Sequence, residues 1–248
     1  MESMRKCIHG DFVPFGAMTY YADTSFDDTI GGLFRLLIVF PAFFFTQYKK
    51  VGFAAMDLLR SMTECQVFTP LASISGEDIV ALVHLTITIC NESDTQTSTL
   101  LYGMSFLAFI AGLIPLVKKV VQEATGTPTS AMRAQSMKAQ SRSSQRIKES
   151  IARSIAPHSS IWSSMIACAM GVITNQDRAL SVASQVVFPI FEEEPSFWFE
   201  FTQTFLQGYP EAKRRGVNEA LGTLANAAES QEKFFSEVFV FRTRIRAV

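Results

Sequence analysis

The chain has 248 residues, a net charge of −1 and a pI near 6.3, with 48% hydrophobic residues and 22 phenylalanines against two Trp and three His. That apolar share is ample for a sizeable core, while the near-zero charge excludes a global polycation, so any affinity for nucleic acid or anionic lipid has to be local. Cys7, Cys65, Cys90 and Cys168 lack the spacing of a zinc site or a disulfide framework, which predicts a reducing intracellular, cytoplasmic setting with no metal and no cofactor.

Residues 1–24 contain Gly10, Pro14, Gly16 and the pair Tyr20-Tyr21 without a sustained period, so they are expected to form an extended arm of the kind that docks on a neighbour. No apolar run follows Arg5-Lys6, and no targeting signal is read. Residues 25–121 are expected to form an N-terminal helical lobe. Ser25 to Asp28 has capping-box spacing, and Ile30, Leu33, Phe34 and Leu37 follow at helical intervals up to Pro41. Pro41 opens a second helix carrying Phe44, Phe45, Tyr48, Ala55, Met56 and Leu59 on its apolar face. Pro70 marks a loop across 63–73, and Ser75 to Asp78 is a second capping box. The stretch after it, with Ile79, Leu82, Val83, Thr86 and Cys90 on one face, is expected to be a helix in spite of its β-branched residues.

Residues 100–117 are the most apolar stretch of the chain and end at Lys118-Lys119. With the uncharged residues before them they are long enough to cross a bilayer core, which takes ~20 residues. A central helix buried on every side has the same composition. In the buried reading Gly103, Ala108, Ala111 and Gly112 admit close neighbours, and Phe106, Phe109 and Leu113 fill the space between them. The spanning reading meets Arg35 inside its other candidate span, 30–48, where a mid-bilayer Arg costs ~2.5 kcal/mol or more. It would also place two lysine pairs on opposite sides, against the positive-inside rule.

Residues 122–150 are expected to be a basic, Ser-rich linker. Between positions 118 and 153 stand Lys118, Lys119, Arg133, Lys138, Arg142, Arg146, Lys148 and Arg153 against only Glu123 and Glu149. From Ala124 to Lys148 there is neither an acid nor an aromatic residue, so the stretch buries too little apolar surface to fold alone. Ile147, Ile151 and Ile155 then resume a helical repeat that opens a C-terminal lobe over 151–248. Its expected helices are the apolar 160–174, one capped by Asp177 and stopped by Pro189, one over 197–207 that ends at Gly208 and has Glu192 to Glu194 and a first-turn Pro195 at its N-terminus, one from Pro210, and a last one with Phe234, Phe235, Val238 and Phe241. Arg242, Arg244 and Arg246 form a basic tail. The predicted fold is thus all-α, with two helical lobes packed around a central apolar helix and joined by the basic segment.

No phosphate-binding glycine loop, nucleophile elbow or His-Glu-x-x-His occurs, so no enzyme is expected and no catalytic residue is named. Cys7-x-His9 lacks a second pair of ligands. His84, on an apolar helix face, is expected to be a core histidine, and His158-Ser159-Ser160 lacks the third partner of a triad.

Phe44-Phe45-Thr46-Gln47 followed by Leu58-Leu59, and Leu85-Thr86 followed by Asn91, resemble two motifs of the small nucleoproteins of segmented negative-strand RNA viruses, of the phenuivirus type. The Arg and Gly of the second motif are absent here. The likeness covers about the first third of the chain and implies a helical nucleocapsid-like protein that forms a homo-oligomer and binds RNA. The eight cations match that expectation as phosphate contacts, which are blind to sequence and release counterions. Viral matrix proteins fit the composition comparably. The alternative expectation is a matrix-like or membrane-associated structural subunit, anchored by residues 100–117 or touching an anionic membrane surface through the basic segment.

Overall fold

Ser75 shows how a helix of this chain begins. Its Oγ accepts a hydrogen bond from the backbone N–H of Asp78 at 3.1 Å, which satisfies one of the unpaired donors of the first turn. Glu77 and Asp78 lie in that same turn, where the helix dipole favours negative charge. The helix runs Gly76–Asn91, so the β-branched stretch within it is helical, as its apolar period predicts.

A computed structural model of the chain describes residues 1–9, 21, 23–92, 94–124 and 139–247, with 9 and 139–143 as backbone alone. In chain order the helices are α1 Glu2–His9, α2 Ser25–Val39, α3 Ala42–Gln47, α4 Lys49–Glu64, α5 Thr69–Ala72, α6 Gly76–Asn91 and α7 Thr97–Ala111. There follow α8 Ile114–Ala124, α9 Ala139–Ile155, α10 Ser160–Asn175, α11 Leu180–Glu193, α12 Pro195–Gln207 and α13 Glu211–Asn226. A 3-10 turn at Ala227–Glu229 leads into α14 Gln231–Ala247. No strand occurs among the described residues, and the fold is all-α.

The apolar stretch is the centre of the packing. α7 lies against α4 and α6 from the N-terminal half and against α10 and α11 from the C-terminal half, burying Leu100, Met104, Phe106, Leu107, Ile110 and Ala111. Gly103 sets its approach to α6: a Cβ there would stand 2.6 Å from Cys90 Sγ and 3.3 Å from Thr86 Cγ2. The buried apolar residues form one continuous cluster that includes both Phe26 and Ile245. Within it the Cys90 thiol is hydrogen-bonded to Cys168 of α10, and that bond, followed by burial, raises its pKa well above the usual thiol range.

Several expectations are corrected. The central stretch is two helices, because the backbone turns at Gly112 and Leu113 before α8. Pro115 falls in the first turn of α8, where its missing N–H leaves no bond unmade. Phe109 is only half-buried and stacks on Phe68, ring centroids 4.8 Å apart, whereas Phe106 is fully buried. The N-terminus is not an extended arm over 2–9, where α1 packs on α4, buries Ile8 and pairs Arg5 with Asp57 at 3.0 Å. Residues 10–20 lie outside the described residues.

Ser25 does not close a capping box. Its N–H and Oγ both donate to Asp23 Oδ1, at 3.0 and 2.6 Å. The second helix breaks at Tyr48 into α3 and α4, and the expected 63–73 loop holds α5 with Pro70 buried. Pro189 does not stop α11. The carbonyl its missing N–H leaves unpaired belongs to Gln185 on the exposed face, while Val186, Val187, Phe188 and Ile190 are buried. Asp177 caps nothing and instead pairs with Arg242 and Arg246. The C-terminal arginines are therefore not a tail but part of α14. His84 is exposed.

Replacing Phe106 with Ala is expected to cost ~3–5 kcal/mol by chemical denaturation as a core cavity. The same change at half-buried Phe109 is expected to cost clearly less, and equal losses would contradict the packing.

Candidate nucleic-acid interface

The basic segment is helical from position 139 onward, further toward the N-terminus than its apolar repeat predicts. Ile151, Ala152 and Ile155 are fully buried and Ile147 half-buried, one turn apart on the face that packs on α5, α6 and α8. This anchor requires a glycine. A Cβ on Gly76 would stand 2.0 Å from the carbonyl oxygen of Ser154, so the first turn of α6 touches the backbone of α9 directly.

The eight predicted cations have different surroundings. Arg133 and Lys138 lie outside the described residues, and Arg142 sits one turn before Arg146 on the backbone of α9. Arg146 and Arg153 are exposed on the side of α9 away from its isoleucines, and neither has a carboxylate partner among the described residues. Positions 142, 146 and 153 are separated by four and seven residues, which places them along one stripe of the helix. Lys148 points its Nζ at the Phe68 ring, 5.2 Å from the centroid, an attraction to the ring's negative face.

Lys118 and Lys119 are spent on acids. Lys118 Nζ donates to the Glu193 carbonyl oxygen at 2.7 Å and lies 3.5 Å from Glu193 Oε2 and 3.8 Å from Glu194 Oε1. Glu192 and Glu193 end α11, where the dipole disfavours negative charge, and the lysine supplies the missing cation and a donor for a terminal carbonyl. Lys119 Nζ lies 3.8 Å from Glu123 and 3.9 Å from Glu149. Both acids of the basic stretch thereby pair with Lys119, although Glu149 also stands between Arg146 and Arg153 on the outer face of α9. Sequence spacing could not show the partner of Lys118, which lies 75 residues away.

Other candidates for chemistry are less developed. A cleft of about 840 Å³ between α10, α12 and α14 is lined by Ser163, Thr174, Phe205, Tyr209 and Arg246, with Ser163 Oγ donating to Glu200 at 3.3 Å. Among the described residues no group of three His, Cys, Asp or Glu gathers as for a metal ion. The stretch Thr97–Ala124 is long and apolar enough to cross a membrane by length and composition, and 56% of its apolar window is buried inside the protein. Exposing it to lipid would require α4, α6, α10 and α11 to part from it.

Gly76→Ala is expected to force α6 and α9 apart and to destabilise the protein by ~1–3 kcal/mol, the usual cost of overpacking. Urea denaturation measures it, and a neutral effect would contradict the backbone contact. A comparison with known proteins finds no match: no family model, no curated protein sequence and no solved structure is similar to this chain.

Proposed function

We propose that the protein is a non-enzymatic helical assembly protein, nucleocapsid-like, that self-associates and binds RNA phosphates without sequence preference through the outer face of α9 and the basic segment preceding it. One observation carries this reading. Arg146 and Arg153 are exposed and have no carboxylate partner among the described residues, on a helix whose single acid, Glu149, lies 3.9 Å from Lys119. Glu149 stands between the two on the same helix face, so a partner that presents repeated negative charge meets two separated arginines there.

The residues of α9 also favour phosphate over base contact. The helix carries no aromatic side chain, so nothing on it stacks on bases, whereas Arg forms bidentate bonds to phosphate oxygens. A few such contacts bind weakly on their own. Self-association is proposed because copies bound along one strand add their contacts through a raised effective concentration. A cytoplasmic site of action is part of the proposal.

The replacement Arg142→Gln, Arg146→Gln, Arg153→Gln tests the assignment. The parent is expected to bind single-stranded RNAs of different base composition alike, with a log-log salt slope of roughly −0.7 per contact. The triple variant is expected to flatten that slope by ~2 units, with an unchanged helical circular-dichroism spectrum, since exposed substitutions rarely move stability by more than ~0.5 kcal/mol. Unaltered RNA affinity in the variant removes the site. Absence of RNA binding by the parent at low salt removes the function.

A further inference from the structure

The chain between Asp28 and Asp57 contains no acidic residue, and within it lie Arg35, Lys49 and Lys50, all exposed. Among the described residues none of the three pairs with a carboxylate. The same stretch holds five of the ten large hydrophobic side chains exposed among the described residues: Leu36 at 54%, Val39 at 77%, Phe40 at 45%, Phe43 at 65% and Tyr48 at 52%. Side chains this exposed are gripped only at their stems, so they form a ridge rather than a groove. Apolar exposure gathered in one short segment in this way marks an interaction site.

The ridge is a built feature. Pro41 forces Phe40 into an extended conformation, φ −74° and ψ 135°, which ends α2 and turns the chain into α3. Phe40 and Phe44 then stack at 5.0 Å, and Phe44 meets Tyr48 at 4.8 Å. Phe45, 2% exposed, roots the hairpin in the core. Gly52 allows α4 to close on it, since a Cβ there would stand 2.5 Å from the Phe45 carbonyl oxygen. The rings therefore hold their arrangement before any partner arrives, which lowers the ordering cost of binding.

We infer that this ridge docks on the surface of a lipid bilayer rich in anionic headgroups, a reading independent of the RNA proposal because it uses different residues. An apolar tip with cations on both chain flanks matches a bilayer, which offers an apolar layer and a sheet of negative charge just above it. Interfacial helices bury their apolar side chains ~5–10 Å into the headgroup boundary while basic residues stay at the phosphates, and Tyr is favoured at that level. Glu92 and Asp94 line the cleft of about 290 Å³ behind Phe43 and Lys49, and neither forms an ion pair with Lys49 among the described residues.

The experiment is sedimentation of the full chain with phosphatidylcholine vesicles carrying about a third phosphatidylserine, against phosphatidylcholine alone. The parent is expected to bind the anionic vesicles, more weakly as salt rises. Arg35→Gln, Lys49→Gln, Lys50→Gln is expected to lose on the order of a hundredfold, about fivefold per cation. Val39→Ser, Phe43→Ser, at two exposed positions, is expected to lose at least about tenfold with unaltered circular dichroism. Arg142→Gln, Arg146→Gln, Arg153→Gln is expected to retain vesicle binding. Failure of the parent to bind anionic vesicles overturns the inference. So does equal binding by the Val39, Phe43 variant, and so does a lipid-free dimer of the parent that this variant dissolves, because a second copy would then cover the ridge.

Discussion

The close approach of α7 to α6 at Gly103 is the constraint on which the rest of the structure depends. With no side chain there, Cys90 Sγ and Thr86 Cγ2 fill the space a Cβ would take, and α7 seats deeply enough to touch α4, α6, α10 and α11 together. One apolar helix thus joins helices from both ends of the chain into a single buried cluster. Large side chains such as Phe106 and Leu107 then meet neighbours on all sides, the arrangement that makes core positions costly to truncate.

Charge is arranged around that core as clasps between distant segments. Lys118 closes the end of α11 on α8, Lys119 joins α8 to α9 through Glu149, and Asp177 receives Arg242 and Arg246 from α14. Each pair is partly solvated and contributes little individually. Their larger effect is selective: they occupy acids that would otherwise neutralise neighbouring cations. Among the described residues Arg146 and Arg153 on α9, and Arg35, Lys49 and Lys50 flanking the aromatic ridge in the chain, form no ion pair with a carboxylate.

The helices themselves were legible where local chemistry decides. Ser75 caps as its spacing predicts, Pro195 opens α12, and the runs through Val217 to Leu224 and Phe234 to Phe241 bury the faces that their period selects. Expectations failed where a distant partner decides. Asp177 has the chemistry of a cap, yet arginines of α14 claim it. Pro189 has the chemistry of a stop, yet buried neighbours carry the helix past it. Lys118 belongs by sequence to the basic segment, but its partners Glu193 and Glu194 come close only in the fold. The exposure of Phe43 beside buried Phe45 was equally illegible, because adjacent phenylalanines look alike until the core selects one.

The central claim is that the exposed arginines of α9 contact RNA phosphates. Amide hydrogen exchange of the full chain, with and without saturating single-stranded RNA at low salt, tests it most directly. The account predicts that RNA slows exchange in α9, strongest toward its N-terminal turns, while α12 and α13 exchange at unchanged rates. Added protection confined to α12–α14, or none anywhere on the chain, would contradict it.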